Sequence, residues 1–433
     1  MAEQRVERHV IRQSDSRYAA IDGASFAAKE LYNVANYQTR QSFCAGSGYV
    51  SFPTLNKALK ASPYYRALPA KVAQQVLRML DQNWQSFFAA NSDFKQNPGK
   101  YKSCPSLPHY LRKDGRYTLV YTIQAIGRRE LKRGLIKPSG LGLTIPTQIA
   151  PEAVSQTRIV KKIDHYVVEV IYRKEEPAEN PILNYDHVVS FDIGVNNLLA
   201  LTSNKPGFRP ALVSGGPLKS LNQYYNKSKA SLTSRLEQDQ VYLERVRAAK
   251  KEHLTAPSSQ RLGRLSTKRY HKIQHYLHCA SKQLLDAMVA EGIGTLVIGY
   301  NPGWKQEAAL GKRNNQNFVC LPFARLIEML QYKAAERGIV VIVHEESYTS
   351  KTSFLDLEPL AHQQHYRGRR LKRGLFKSSS GQLINADVNG SYNILRKAIP
   401  DAFADGIEAV VVRPERFSLN TGTVPKRPLK LAA

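Results

Sequence analysis

An acid on an apolar strand constrains this chain more than any other feature. Residues 188–204, VVSFDIGVNNLLALTSN, read as a buried strand, a tight turn at Gly194 and a second strand. Asp192 falls on the first strand among valines and a phenylalanine. A carboxylate there is expensive unless something cationic satisfies it. A fold is therefore needed that brings a counter-charge to the end of that strand.

The segments that follow supply further strands and helices in alternation. Residues 217–254 and 260–290 are two long helical stretches, and TLVIGYN (295–301) is a short buried strand. Phe323 to Gly338 reads as a helix ending in glycine, IVVIVHEE (339–346) as another buried strand, and DVNGSYNILRKAI (387–399) as a helix start. Strands interleaved with helices, opening on a hairpin rather than a βαβ unit, predict an α/β domain of RNase H-like type.

The first third has a different pattern. Residues 26–45 and 70–90 read as amphipathic helices, the second lining one face with Val72, Val76, Leu80, Trp84 and Phe87. Residues 116–126 alternate as a strand does, and 158–173 reads as a hairpin turning near Lys162–Asp164. A small β-barrel carrying a helical insertion is expected. The acidic segment 174–186, with two prolines, reads as a linker.

Charge points to the partner. The 63 Lys+Arg against 35 Asp+Glu give a formal +28, which a polyanion, nucleic acid above all, would neutralise. Cys44, Cys104, Cys279 and Cys320 include no C-x-x-C pair, which fits a reducing compartment and argues against a zinc ribbon. Met1 to Arg17 is polar, so no secretory signal is expected, and no apolar run approaches the roughly 20 residues that span a bilayer. The expected location is the bacterial cytoplasm, on the nucleoid, with no membrane partner.

An RNase H-like nuclease gathers acids from distant segments to hold two divalent cations with hard oxygen ligands. Asp192 is the first candidate and Asp387, opening the last helix, the second. Taken alone, Asp387 reads equally well as an acid favoured by the helix dipole.

F-D-I-G-V-N-N (191–197), Y-T-S-K-T-S (348–353) and N-A-D-V-N-G-S-Y-N-I (385–394) resemble, in order and spacing, motifs of TnpB (OrfB), a family of transposon-encoded proteins related to compact type V CRISPR effectors. The resemblance spans about residues 188–411. It implies a wedge-like β-barrel over 1–185 with a helical recognition insert at about 26–105, a RuvC-like (RNase H-like) nuclease domain over 186–411 with a basic, zinc-less insertion at about 352–382, and a tail at 412–433. It further implies an RNA-guided DNA endonuclease using two Mg²⁺ ions, or Mn²⁺. A guide RNA from the transposon end and target double-stranded DNA beside a short duplex motif would be its partners. A nuclease-dead, guide-binding repressor is the alternative.

Two departures from the family pattern stand out. The usual glutamate at the end of strand 295–301 is replaced by Gly299 and Tyr300. Glu345 and Glu346 close the next strand instead, as in relatives, Fanzor among them, that have moved this acid. Strand alternation lets only one of them face the metals, and Glu346 is expected to complete the set Asp192, Glu346, Asp387. The family's zinc-binding cysteines appear to be replaced by Ser353, Asp356, Lys377 and Ser380, none of which substitutes for a structural thiolate, so no zinc is expected.

Nucleic-acid contacts are expected at Arg367, Arg369, Arg370, Lys372 and Arg373 in the one-sided basic loop 367–377, at Lys268 and Arg269 on the second long helix, and at Lys305. Residues 219–282 carry 14 Lys/Arg against 4 Asp/Glu. His271, His275 and His278 share a helical face there, but a basic surface tracking a duplex outweighs a metal site. Trp304 reads equally as core or as a stacking residue; Tyr32, Tyr37, Tyr64 and Tyr65 could stack on nucleobases, a reading outweighed for most of them by that of half-buried anchors.

Overall fold

The computed structural model describes residues 3–174, 181–252, 259–301, 321–404 and 410–421, together with 254, 257, 406 and 407. The chain divides into two compact units, residues 1–176 with 232–264, and residues 177–231 with 265–433. Lys305 and its neighbours Trp304 and Gln306 lie outside the described residues, as does Cys320.

In the first unit β1 (Glu3–Arg12) runs antiparallel to β6 (His165–Lys174), which pairs with β5 (Val154–Lys161), and β5 with β2 (Leu119–Thr122). The β5–β6 hairpin closes where Lys162 N donates to His165 O at 2.8 Å. Between β1 and β2 come α1 (Tyr18–Cys44), α2 (Phe52–Leu59), α3 (Pro63–Arg66) and α4 (Ala70–Gln96). Val72, Val76, Leu80 and Trp84 of α4 are fully buried, as their spacing predicts. Trp84 Nε1 donates to Asn36 Oδ1 at 3.1 Å, and Asn36 Nδ2 to Pro108 O at 2.9 Å, which settles the polar atoms of that core. The strand expected over 116–126 is shorter, because Ile123–Ala125 coil into a helical turn. There Ala125 O accepts Ser139 N, and α5 (Arg128–Leu131) follows before the small ribbon β3 (Leu135–Ile136) and β4 (Ile145–Pro146). Among the described residues these strands form an open four-stranded sheet and a separate two-stranded one.

The second unit is built on β7 (Asn184–Ile193), β8 (Asn197–Ser203) and β9 (Ala211–Ser214), a meander of antiparallel neighbours. α6 (Gly216–Gln238) leaves it. The single helix expected to residue 254 breaks at Asp239, whose carboxylate caps α7 (Gln240–Lys251), a helix of the first unit, by accepting Tyr242 N at 3.0 Å. α8 (Gln260–Ala290) leads to β10 (Ile293–Gly299), which adds parallel to β7, and α9 (Phe323–Ala335) to β11 (Val340–His344), parallel to β10. The three-stranded sheet β12 (Arg369–Lys372), β13 (Leu375–Lys377) and β14 (Leu383–Asn385) precedes α10 (Ala386–Ala398), and β15 (Glu415–Phe417) closes the main sheet.

The order β11-β10-β7-β8-β9-β15 places the first strand centrally, with its hairpin partner on one side and the two crossover strands on the other. This is the RNase H-like arrangement. Strand alternation sends Val189, Phe191 and Ile193 into the core with α8 and α9. Val188, Ser190 and Asp192 take the opposite face, where α10 packs. Among the described residues no helix is long and apolar enough to cross a membrane.

Candidate active site

Asp192 lies one residue from the end of β7, on the face covered by α10. α10 comes close because residue 390 is glycine: a Cβ there would sit 2.9 Å from Asp192 Oδ2. A buried hydroxyl cluster fixes the approach. Ser190 Oγ donates to Ser391 O at 2.7 Å, Ser391 Oγ donates to Ser190 O at 3.0 Å, and Thr202 Oγ1 lies 2.9 Å from Ser391 Oγ. Burial pushes the Asp192 carboxyl well above the usual carboxylate range, reinforced by the charges of Glu346 and Asp387 and opposed by Arg370.

Asp387 stands in the first turn of α10, where Asn385 caps the helix by accepting Asp387 N and Val388 N. Its Oδ2 accepts Asn197 Nδ2 at 2.7 Å, and its Oδ1 lies 3.7 Å from Arg370. Glu345 and Glu346 point apart, as neighbours in an extended chain must. Glu345 is exposed and pairs with Lys397 at 2.5 Å, which holds its carboxyl down to about 2. Glu346 is half-buried. Burial first, then the Glu345 charge, raises its carboxyl to about 7 against the opposing pull of Lys397.

The turn after Glu346 is held by α10. Asn393 Nδ2 donates to Thr349 O at 2.9 Å and Thr352 O at 2.7 Å, Asn389 Nδ2 donates to Thr352 O at 2.8 Å, and Phe354 N donates to Asn389 Oδ1 at 2.9 Å. Tyr392 stacks on Phe354 with ring centroids 4.4 Å apart. The segment N-G-S-Y-N thus has one structural task per residue, with Asp387 two residues ahead. Tyr348, at φ 68°, is held in the left-handed region by this scaffold.

Oxygen donors and burial fit hard divalent cations, since the charges of Glu346 and Asp387 reach the buried Asp192 carboxyl. Among the described residues no group of three or more His, Cys, Asp or Glu side chains is arranged to hold an ion as it stands. That includes the helical face of His271, His275 and His278.

Known proteins match this architecture. A family model described as a probable transposase, OrfB of the IS605 type, covers residues 165–305, and one described as Cas12f1-like, TNB domain, covers residues 323–394. The TnpB-like protein ORF457 of Acidianus two-tailed virus is 24% identical over 221 residues, 49% of this chain and 42% of the relative. In these segments the chain is similar to the TnpB family. It spans about two fifths of the length of that curated relative. The structure of a Cas12f1–sgRNA–target DNA complex matches with a TM-score of 0.50 at 15% identity, over 86% of this chain and 81% of that one, a likeness of fold.

The basic segment 367–377 is a hairpin rather than a loop, with β12 and β13 paired and β14 added. Arg367, Arg369, Arg370, Lys372 and Arg373 are exposed on it. Their charges hid the strand alternation, because only Phe376 and Ile384 turn inward. Where the family's cysteines were expected, Asp356 accepts Ser379 N at 2.9 Å and also its hydroxyl, and Ser353 is buried. Beside them Glu358, fully buried, accepts Ser353 N and Arg367 N at 2.8 Å each. Lys268 is exposed on α8, and Arg269 half-buried.

Proposed function

We propose that this chain is an RNA-guided DNA endonuclease, cutting target DNA with Asp192, Glu346 and Asp387. What supports the reading is that the charges of Glu346 and Asp387, from two distant segments, act on a buried Asp192, with both Asp192 and Glu346 pushed towards protonation. Such a cluster is costly unless cations enter it. Two Mg²⁺ ions, or Mn²⁺, held there would stabilise charge on the transferring phosphoryl group and acidify the attacking water. Asn197 keeps Asp387 oriented, Lys397 turns Glu345 away, and the Ser190–Ser391 bonds fix the separation of β7 and α10. Water attacks phosphorus, the 3′ oxygen departs, and the products are a 5′-phosphate and a 3′-hydroxyl.

Arg367, Arg369, Arg370, Lys372 and Arg373 would contact substrate phosphates. The solved Cas12f1 complex contains a guide RNA and target DNA. By analogy the partners here are a guide RNA from the transposon end and a target duplex. The four-stranded sheet of the first unit would serve as the wedge and its inserted helices as the module that recognises the duplex motif beside the target. Expression with native flanking DNA, sequencing of co-purified RNA and incubation with a matched plasmid and Mg²⁺ test this. Cutting that is lost in Glu346→Ala supports it. Matched DNA bound but left intact would favour a guide-binding repressor.

A further inference from the structure

Away from the acids, α6 and α8 of the second unit enclose a cleft of about 540 Å³, within the size range of small-ligand sites. One wall carries Tyr224 and Tyr225, and the other Lys268, Arg269, Lys272 and Tyr276. Tyr224 is 64% exposed, an unusual state for so large a ring. Lys268 and Lys272 lie one helical turn apart on α8, and no carboxylate lines the cleft.

Arg269 is held in place rather than loose. Its guanidinium lies 4.9 Å from the Tyr225 ring centroid, and its Nε donates to Asn222 Oδ1 at 2.7 Å. Asn222 is 1% exposed, and among the described residues its Nδ2 has no hydrogen-bond partner. An amide donor left unsatisfied in the interior is costly. Tyr276 is fixed too, its hydroxyl donating to Ser214 O.

We propose that this cleft binds one unpaired nucleotide of a single-stranded segment, its base on Tyr224 and its phosphates on Lys268 and Lys272. Cations alone would serve any duplex backbone. A solvent-facing ring inside a cleft adds something a duplex cannot use, because paired bases bury their faces in the stack. Proposed function supplies only the presence of nucleic acid. The cleft does not depend on the acids, so either reading survives failure of the other.

The test uses the full chain in EDTA, with fluorescent twelve-nucleotide oligo-dT, oligo-rU and an abasic strand of equal length, read by anisotropy. Tyr224→Ala is expected to weaken binding of the base-bearing strands by about tenfold while leaving the abasic strand unchanged, and Tyr224→Phe to restore it. Lys268→Ala with Lys272→Ala should weaken all three strands and reduce the salt slope by about 1.4. The dT and rU arms tell which nucleic acid is preferred. Equal loss on abasic and base-bearing strands, or no loss in Tyr224→Ala, would overturn the proposal. Because Tyr224 is mostly exposed, thermal melting of that variant should match the parent, and a large drop would also count against a binding role.

Discussion

The carboxylate of Glu346 lies where a side chain on residue 299 would begin: a Cβ on Gly299 would stand 2.7 Å from Glu346 Oε2 and 2.5 Å from Ile394 Cδ1. β10 ends at Gly299 and β11 runs parallel beside it, so the two positions belong to one patch of the sheet's end. The glycine at this strand end makes room for an acid from the next strand. Gly299→Ala should therefore displace Glu346 and reduce cleavage by an order of magnitude or more, with a stability cost of about 1–3 kcal/mol. The exchange Gly299→Glu with Glu346→Gly should recover cutting above that of Glu346→Gly alone. Cleavage in Gly299→Ala equal to the parent would mean that Glu346 does not need that space.

Asp192 faces two like charges on a half-buried strand end, so neutralising it should relieve the metal-free protein. Asp192→Asn is expected to abolish cleavage and to raise the melting temperature in EDTA by a few degrees, consistent with roughly 1 kcal/mol of relieved repulsion. Added Mg²⁺ should raise the melting temperature of the parent and leave the variant nearly unmoved. Melting curves with and without the ion decide it. Destabilisation in EDTA would show that the carboxylate is satisfied by the protein alone.

The sequence exposed the acids more readily than their supports. Asp192 and Asp387 are legible because each stands inside a patterned segment, one an apolar strand and one a helix start. The choice between Glu345 and Glu346 is not local. It turns on Lys397, 52 residues on, which pairs with Glu345 and holds it at the surface. Ser190 looks like a flaw in an apolar strand until Thr202 and Ser391 are seen to meet it. Asn389 and Asn393, four residues apart on a helix start, were a readable sign of a clamp whose target no spacing reveals. In the first unit the helix expected from residue 26 begins at Tyr18, because Asp15 stops the preceding strand by accepting Arg17 N and pairing with its guanidinium.

Lys333 gives a pH signature away from the acids. It is 8% exposed, and its Nζ donates to His278 O at 2.9 Å and Ser281 Oγ at 2.7 Å. Burial, then the nearby Arg337 charge, lowers its ammonium to about 8. The folded chain therefore releases this proton before the unfolded chain does. Stability from this group is present above the ordinary value of 10.5 and is lost as pH falls through about 8. Denaturant midpoints should rise between those limits, by on the order of 2 kcal/mol, net of other groups titrating there. Lys333→Met should flatten that rise. A slope unchanged by the substitution would rule Lys333 out as its source.

Asp356 and Glu358 tie together the insertion before α10 through backbone N–H groups. Two carboxylates accept backbone N–H groups across its ends, Asp356 from Ser379 and Glu358 from Ser353 and Arg367, where relatives are expected to use a zinc ion. The charge-assisted bonds of the buried Glu358 are worth about 1.5–3 kcal/mol each, and removing its carboxylate leaves donors unsatisfied. Glu358→Ala should release the segment that carries Arg367, Arg369 and Arg370, exposing it to limited proteolysis and reducing cleavage through loss of ordered phosphate contacts. Zinc chelation should leave the proteolysis pattern of the parent unchanged, because no thiolate is asked to hold the fold. If a chelator selective for zinc opened the segment as Glu358→Ala does, the carboxylate clasp would not be what closes it.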